Sequence, residues 1–387
     1  MQEQQPELVH EIAKLAIALI LRADIILGEF QRLRGSEPTS DAVGGSPLIV
    51  HYTSDDTAYK ILKHRDVWLF DATTSNDRDE HIHGIRCMWR TLRGPAAFGL
   101  LQSKAVEQVV GPLSDFTADA LYRTGSRIRR RMHRHVGAIA LVTCFHRPAV
   151  QVAAVDCRTV DALWMWREYG KDGRGAALVI GSAELDRSMR GRPGGVFGVH
   201  YDSVDQEALC RFFVVAVQEL VDSRQRECWT KSVAGVERVL TLAEALLASD
   251  YAAALLPFLL KHSCFAYERE ARLLYLSTEA DSRPLVSADG RTGRSRYYVP
   301  WSQIKAGDAA FPVASVYFGP RARQTRVQRE VHALCRQERI YADCSSLPYR
   351  AYDKPVRSID AAFKEMRALE ARATVRSRAG RPGTSRT

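Results

Sequence analysis

Residues 264–276 read Cys-Phe-Ala-Tyr-Glu-Arg-Glu-Ala-Arg-Leu-Leu-Tyr-Leu and bring two carboxylates and a guanidinium together over a few positions. If residues 268–276 are extended, Glu268, Glu270 and Arg272 point to one face, because strand side chains alternate with period two. Two acids and an arginine on one surface can be a salt-bridge ladder. They can also be the acidic end of a catalytic cleft. The residues alone leave both readings open.

Other side chains could join such a cleft. His51 ends the apolar run Leu48–Tyr52. There it is either a hydrogen-bonded core histidine or a cleft residue. Tyr52 alternates to the opposite face, so the two cannot line one cleft unless the strand ends there. Trp166 and Tyr169 lie three apart, with Trp164, on a helix expected over 160–169, and share a face. That face is either core or the wall of a cleft. Asn76, Asp77 and Asp79 occupy a turn, where Asn and Asp serve the backbone. A metal held by Asp77 with Glu268 or Glu270 would instead make a nuclease. Eight cysteines include no C-x-x-C pair, and His81 and His83 have no cysteine at ligand spacing, so no zinc site is expected.

The elements that must carry these groups follow from periodicity. Leu8, Ile12, Leu15, Leu19, Ala23, Ile26 and Phe30 predict a helix over 7–34, either packed on the body or dimerising. A Gly/Pro/Ser-rich linker over 36–47 follows, then one domain over 48–350. Strands are expected at 48–52, 67–70, 138–145, 175–181, 195–201 (as the hairpin partner of 175–181), 268–276, 297–299, 313–318 and 339–343. Helices are expected at 57–63, 80–92, 99–111, 114–134, 160–169, 204–224, 233–262 and 321–337. This irregular alternation predicts an α+β fold with a mixed, largely antiparallel β-sheet core and long surrounding helices.

The 387 residues carry 46% hydrophobic and 26% charged residues, the balance of a globular protein, with a net charge of +10. Five arginines and no acid fall in 371–387, within a tail over 351–387 expected to be a helix followed by basic disorder. A second basic run holds Arg127, Arg129, Arg130, Arg131 and Arg134. It is either a solvated face or a contact for nucleic acid. The longest clean apolar run, Leu15–Leu21, is far too short to span a bilayer, and the first residues carry no secretory signal. A cytoplasmic protein is expected.

Several segments together resemble a bacterial domain family of unknown function, 2971. They are Val50-His51-Tyr52-Thr53-Ser54, Phe70-Asp71 through Asn76-Asp77, Cys144-Phe145, and Met165-Trp166 with Tyr169 and Gly175. They continue with Phe265, Glu268, Glu270 and Arg272, then Val316–Pro320 and Ser346–Arg350. The chain departs from that family at His146, where a small hydroxyl residue is usual, and at Arg78, where proline is frequent. The early His-Tyr-Thr-Ser strand and late Glu-x-Glu strand also resemble the ADP-ribosyltransferase superfamily. That resemblance implies an NAD-using enzyme of toxin or phage-defence type, with nucleic acid or protein as acceptor. It implies Glu270 as the catalytic carboxylate and Glu268 as its partner. His51, Tyr52, Thr53, Phe145, Trp166, Tyr169 and Arg272 would hold NAD. The alternatives are a non-catalytic nucleic-acid-binding or sensing module and a metal-dependent nuclease.

Overall fold

The structure is a computed structural model that describes residues 5–33, 48–72, 78–93, 138–148, 162–230, 248, 251–253, 255–278, 283–285, 296–307, 310–322 and 325–345. The chain divides into two units, Met1–Leu347 and Pro348–Thr387, and the second lies outside the described residues. So do the expected helices over 99–111 and 114–134, with Arg127, Arg129, Arg130, Arg131 and Arg134, and Asn76 and Asp77.

The elements in chain order are α1 (Gln5–Leu33), β1 (Leu48–Thr53), α2 (Asp55–His64), β2 (Trp68–Asp71), α3 (Arg78–Arg93), β3 (Ala138–His146), α4 (Leu163–Glu168), β4 (Ala176–Gly181), α5 (Ser182–Ser188), β5 (Gly194–Gly198) and α6 (Ser203–Thr230). Two 3-10 helices follow, Leu256–Leu259 and Ser263–Glu268. Then come β6 (Glu270–Thr278), β7 (Arg283–Leu285), β8 (Arg296–Pro300), α7 (Trp301–Ile304), β9 (Val313–Phe318), α8 (Arg326–Gln337) and β10 (Tyr341–Cys344).

The clearest apolar strand of the sequence, β3, is the junction of the sheet. One edge pairs with β6 along its whole length, from Ala138↔Thr278 to His146↔Glu270. The other edge is shared by two strands: β1 through Val50↔His146, and β2 through Phe70↔Val142 and Asp71↔Leu141. The sheet therefore forks beside Thr143 and Cys144. Two side chains pin the fork. The Thr143 hydroxyl donates to the Trp68 carbonyl at 2.7 Å, and His51 Nδ1 lies 3.2 Å from the Cys144 carbonyl. One arm runs β1-β4-β9-β10 and the other β2-β8-β7, while β5 pairs with β6. Among the described residues every strand pair is antiparallel except β9–β10. This is the mixed, largely antiparallel α+β architecture that the element pattern predicts.

Each sheet face has its own apolar layer. One joins Leu69, Leu141, Phe145, Leu178 and Leu273 to Leu62 of α2 and Val331 of α8. The other joins Ala140, Leu274 and Leu276 to α1, α3 and α6. Helix α1 packs back on α6, burying Ile12, Ala16, Ile20, Ala23 and Leu27. That is the stripe a 3.6-residue period produces.

Three local expectations are corrected. Residues 194–198 pair with β6 and not with β4, because α5, anchored by buried Leu185, intervenes and carries the chain away. The helix expected to run through residue 262 gives way to the 3-10 helix Leu256–Leu259, where Pro257 cannot donate an interior helical hydrogen bond. The carboxylate strand begins at Glu270. Glu268 ends a 3-10 helix, and Arg269 takes left-handed backbone (φ 43°) between them.

Candidate functional site

The site is organised by a residue the motif reading passed over. Lys261 follows the buried run Leu255–Leu260 and is itself 6% exposed, so its ammonium requires counter-charges. Its Nζ donates to Glu268 Oε2 at 2.6 Å and to Glu270 Oε2 at 3.1 Å. Arg272 closes the other side, Nε to Glu270 Oε1 at 2.9 Å and Nη2 to Glu270 Oε2 at 3.0 Å, and donates a further bond to the Phe258 carbonyl. Two carboxylates and two cations thus balance in a buried quartet. The signal available in sequence was a lone lysine closing a long apolar run.

Several elements fix this lysine. Gln206 of α6 donates its amide to the carbonyls of both His200 (2.8 Å) and Lys261 (2.6 Å). His200 pairs with Asp24 of α1 at 3.0 Å, and its neighbourhood bridges to Leu260. Helix α3 comes so close that a Cβ on Gly84 would stand 2.2 Å from the Pro257 carbonyl oxygen, which explains glycine there. The left-handed Arg269 turns the chain so that Glu268, from a 3-10 helix, still reaches the same lysine as strand-borne Glu270.

Burial alone would raise the Glu270 carboxyl. Arg272, then Lys261, with a hydrogen bond from the Cys144 thiol, outweigh it and hold the group at about 2. His146, the cross-strand partner of Glu270, donates Nδ1–H to the Glu268 carbonyl at 2.6 Å. Burial pushes its imidazole down to about 4, so it stays neutral. The Tyr201 hydroxyl accepts from the Glu270 N–H at 2.9 Å, and burial followed by the Glu270 charge raises it. The Tyr169 hydroxyl donates to Glu268 Oε1 at 3.3 Å and is raised by burial and then by the Glu268 charge.

The residues expected to hold NAD divide between the two sides of the sheet. Glu268, Glu270, Arg272 and Tyr169 come together. Tyr169 is 48% exposed and joins the quartet to solvent through its bond to Glu268. Nearby, exposed Trp164 packs against exposed Tyr267 with centroids 4.7 Å apart and planes tilted by 39°. Register places Tyr52 on the face of Glu270, but it is buried edge-to-face against fully buried Trp166 (5.0 Å). Both are core. His51 lies on the opposite face, where its ring meets Phe145 at 5.7 Å, so neither faces the carboxylates. Burial lowers the His51 imidazole. Thr53 ends β1 opposite Ala176, and its carbonyl would stand 2.1 Å from a Cβ on Gly175. Among the described residues no group of three or more His, Cys, Asp or Glu could hold a metal ion, and no helix is long and apolar enough to cross a membrane.

Residues 165–273 match the family model described as protein of unknown function (DUF2971). That stretch contains Met165, Trp166, Tyr169, Gly175, Phe265, Glu268, Glu270 and Arg272, and so most of the quartet's surroundings. No curated protein and no solved structure gives a significant match.

Proposed function

We propose that this chain is an NAD-using, ADP-ribosyltransferase-like protein of toxin or phage-defence type, acting in the cytoplasm on a nucleic-acid or protein acceptor. The observation that carries this reading is the convergence of Glu268 and Glu270 on Lys261 Nζ, with exposed Tyr169 bonded to Glu268. Glu270 stays ionised across the working pH range and would oppose the positive charge that grows on ribose as the nicotinamide bond breaks. Glu268, through Tyr169, would receive the proton of the attacking acceptor. The exposed rings of Tyr169, Trp164 and Tyr267 suit the flat faces of nicotinamide or a base. Incubation with labelled NAD and cell extract tests it: wild type releases nicotinamide and transfers label, and Glu270→Gln does neither.

A second reading has its own observation. Glu268 and Glu270 are each 6% exposed and each meets a cation. On this reading the quartet is a buried scaffold and the chain is a non-catalytic binding or sensing module. It predicts that the Glu270→Gln protein, if folded, keeps every interaction of the wild type and that neither turns over NAD.

A further inference from the structure

Strand β2 is buried on one side only. Leu69 and Asp71 are inward, whereas Trp68 is 46% and Phe70 39% exposed. Tyr298 of β8 is the cross-strand partner of Phe70 and is half-buried. The three rings form one cluster. Trp68 lies 4.5 Å from Tyr298 at an interplanar angle of 30°, Phe70 lies 6.5 Å from Tyr298, and Trp68 lies 6.3 Å from Phe70. Two large aromatics left alternately exposed on one strand are not explained by folding, which gains by burying them.

From this cluster we infer a stacking site for the bases of single-stranded nucleic acid. Clustered rings, two of them exposed and Trp68 inclined to Tyr298 by 30°, offer a π-surface on which any base can stack, whatever its sequence. The surrounding charge suits a phosphate backbone. By register Arg283 lies opposite Tyr298 and Arg296 lies two residues before it on β8, so two cationic positions share the face of the rings. Three rings are too few for a stable protein interface, which uses about 20–30 residues a side. Duplex bases, stacked on both faces, have no free surface to offer. The site lies at the fork of the sheet, on the face that carries Cys144 and Glu270. It does not depend on the transfer reading, because binding requires no NAD.

The test is fluorescence anisotropy of labelled single-stranded DNA and RNA 12-mers with the full chain and no NAD, alongside the matching duplex. Single strands should bind in preference to duplex and quench tryptophan emission. Trp68→Ala with Phe70→Ala should weaken them by about ten-fold or more. Trp68→Tyr should retain most of the affinity, and unfolding curves confirm that each variant is folded. Unchanged binding in the double alanine variant overturns the proposal. So does displacement by micromolar AMP, which would assign the rings to a free nucleotide. A dimer in sedimentation that dissociates in the double variant also overturns it, by making a second copy the occupant.

Discussion

Arg272 meets Glu270 two residues away on the same strand through two parallel hydrogen bonds, Nε–Oε1 at 2.9 Å and Nη2–Oε2 at 3.0 Å. A forked guanidinium fits a carboxylate this way and an ammonium does not. The fork holds Glu270 ionised while Lys261 ties it to Glu268. Whatever the site does, it does with this charge balance fixed.

Removing one partner of a buried pair leaves an uncompensated charge, at about 3–5 kcal/mol. Arg272→Ala should lose stability on that scale, and Arg272→Lys should not restore it. Lys261→Met should also be costly, but Lys261→Met combined with Glu268→Gln should recover part of the loss because charge is balanced again. Urea unfolding of these four variants and of Glu268→Gln alone measures this. Strictly additive losses for Lys261 and Glu268 would show that the two are not coupled.

Acid should weaken the fold in two steps. His146 has a folded value of about 4 against 6.5 ordinarily, so between those pH values the unfolded chain binds a proton that the folded chain refuses. Stability therefore falls as pH falls through that window. Glu270, at about 2 against 4.5, is stabilising above 4.5, and its contribution is lost as pH drops towards 2. His146→Asn should reduce the upper step, leaving the slope from His10, His51 and His83, whose imidazoles burial also lowers. An unchanged slope between pH 6.5 and 4 in the folded variant would remove His146 from the account.

Gly84→Ala places a methyl against the Pro257 backbone, where no flexible side chain can yield. The expected cost is about 1–3 kcal/mol. Because Pro257 leads directly into Lys261, the variant should also blunt the effect of Arg272→Ala when the two are combined. A neutral Gly84→Ala in thermal unfolding would mean α3 sits further away.

Tyr169→Phe separates site from scaffold. The ring is half exposed but its hydroxyl bonds buried Glu268, so the lost hydrogen bond should cost about 1–2 kcal/mol and leave the protein folded. The transfer reading predicts a turnover loss of about 10²-fold, the scale of a positioned proton-transfer group. Nicotinamide release by wild type and variant decides it, and equal rates would exclude the hydroxyl from the chemistry.

Much of this was legible because it rests on local pattern. The apolar runs Leu48–Tyr52 and Ala138–His146 read as strands buried on both faces, and the α1 stripe as a helix buried on one. The clustering of Glu268, Glu270 and Arg272 was also legible, although Glu268 arrives from a 3-10 helix through a left-handed Arg269 that no propensity announces. What sequence could not give was non-local. The pairing of β5 with β6, the fork at β3 and the convergence of Lys261 depend on which elements meet, not on their own periods. Placing His51 opposite the carboxylates failed for the same reason. Strand parity was readable, but which face met Glu270 was set by the register of β1 on β3.

The central claim is that Glu270 acts on NAD. Its most direct test is nicotinamide release from NAD by the purified full chain, with cell nucleic acid and protein supplied as acceptors in separate arms, for wild type and Glu270→Gln. The account predicts release and label transfer by wild type, and a loss of at least about 100-fold in a variant that still unfolds cooperatively. No release by wild type in either arm, or equal release by both proteins, would contradict it.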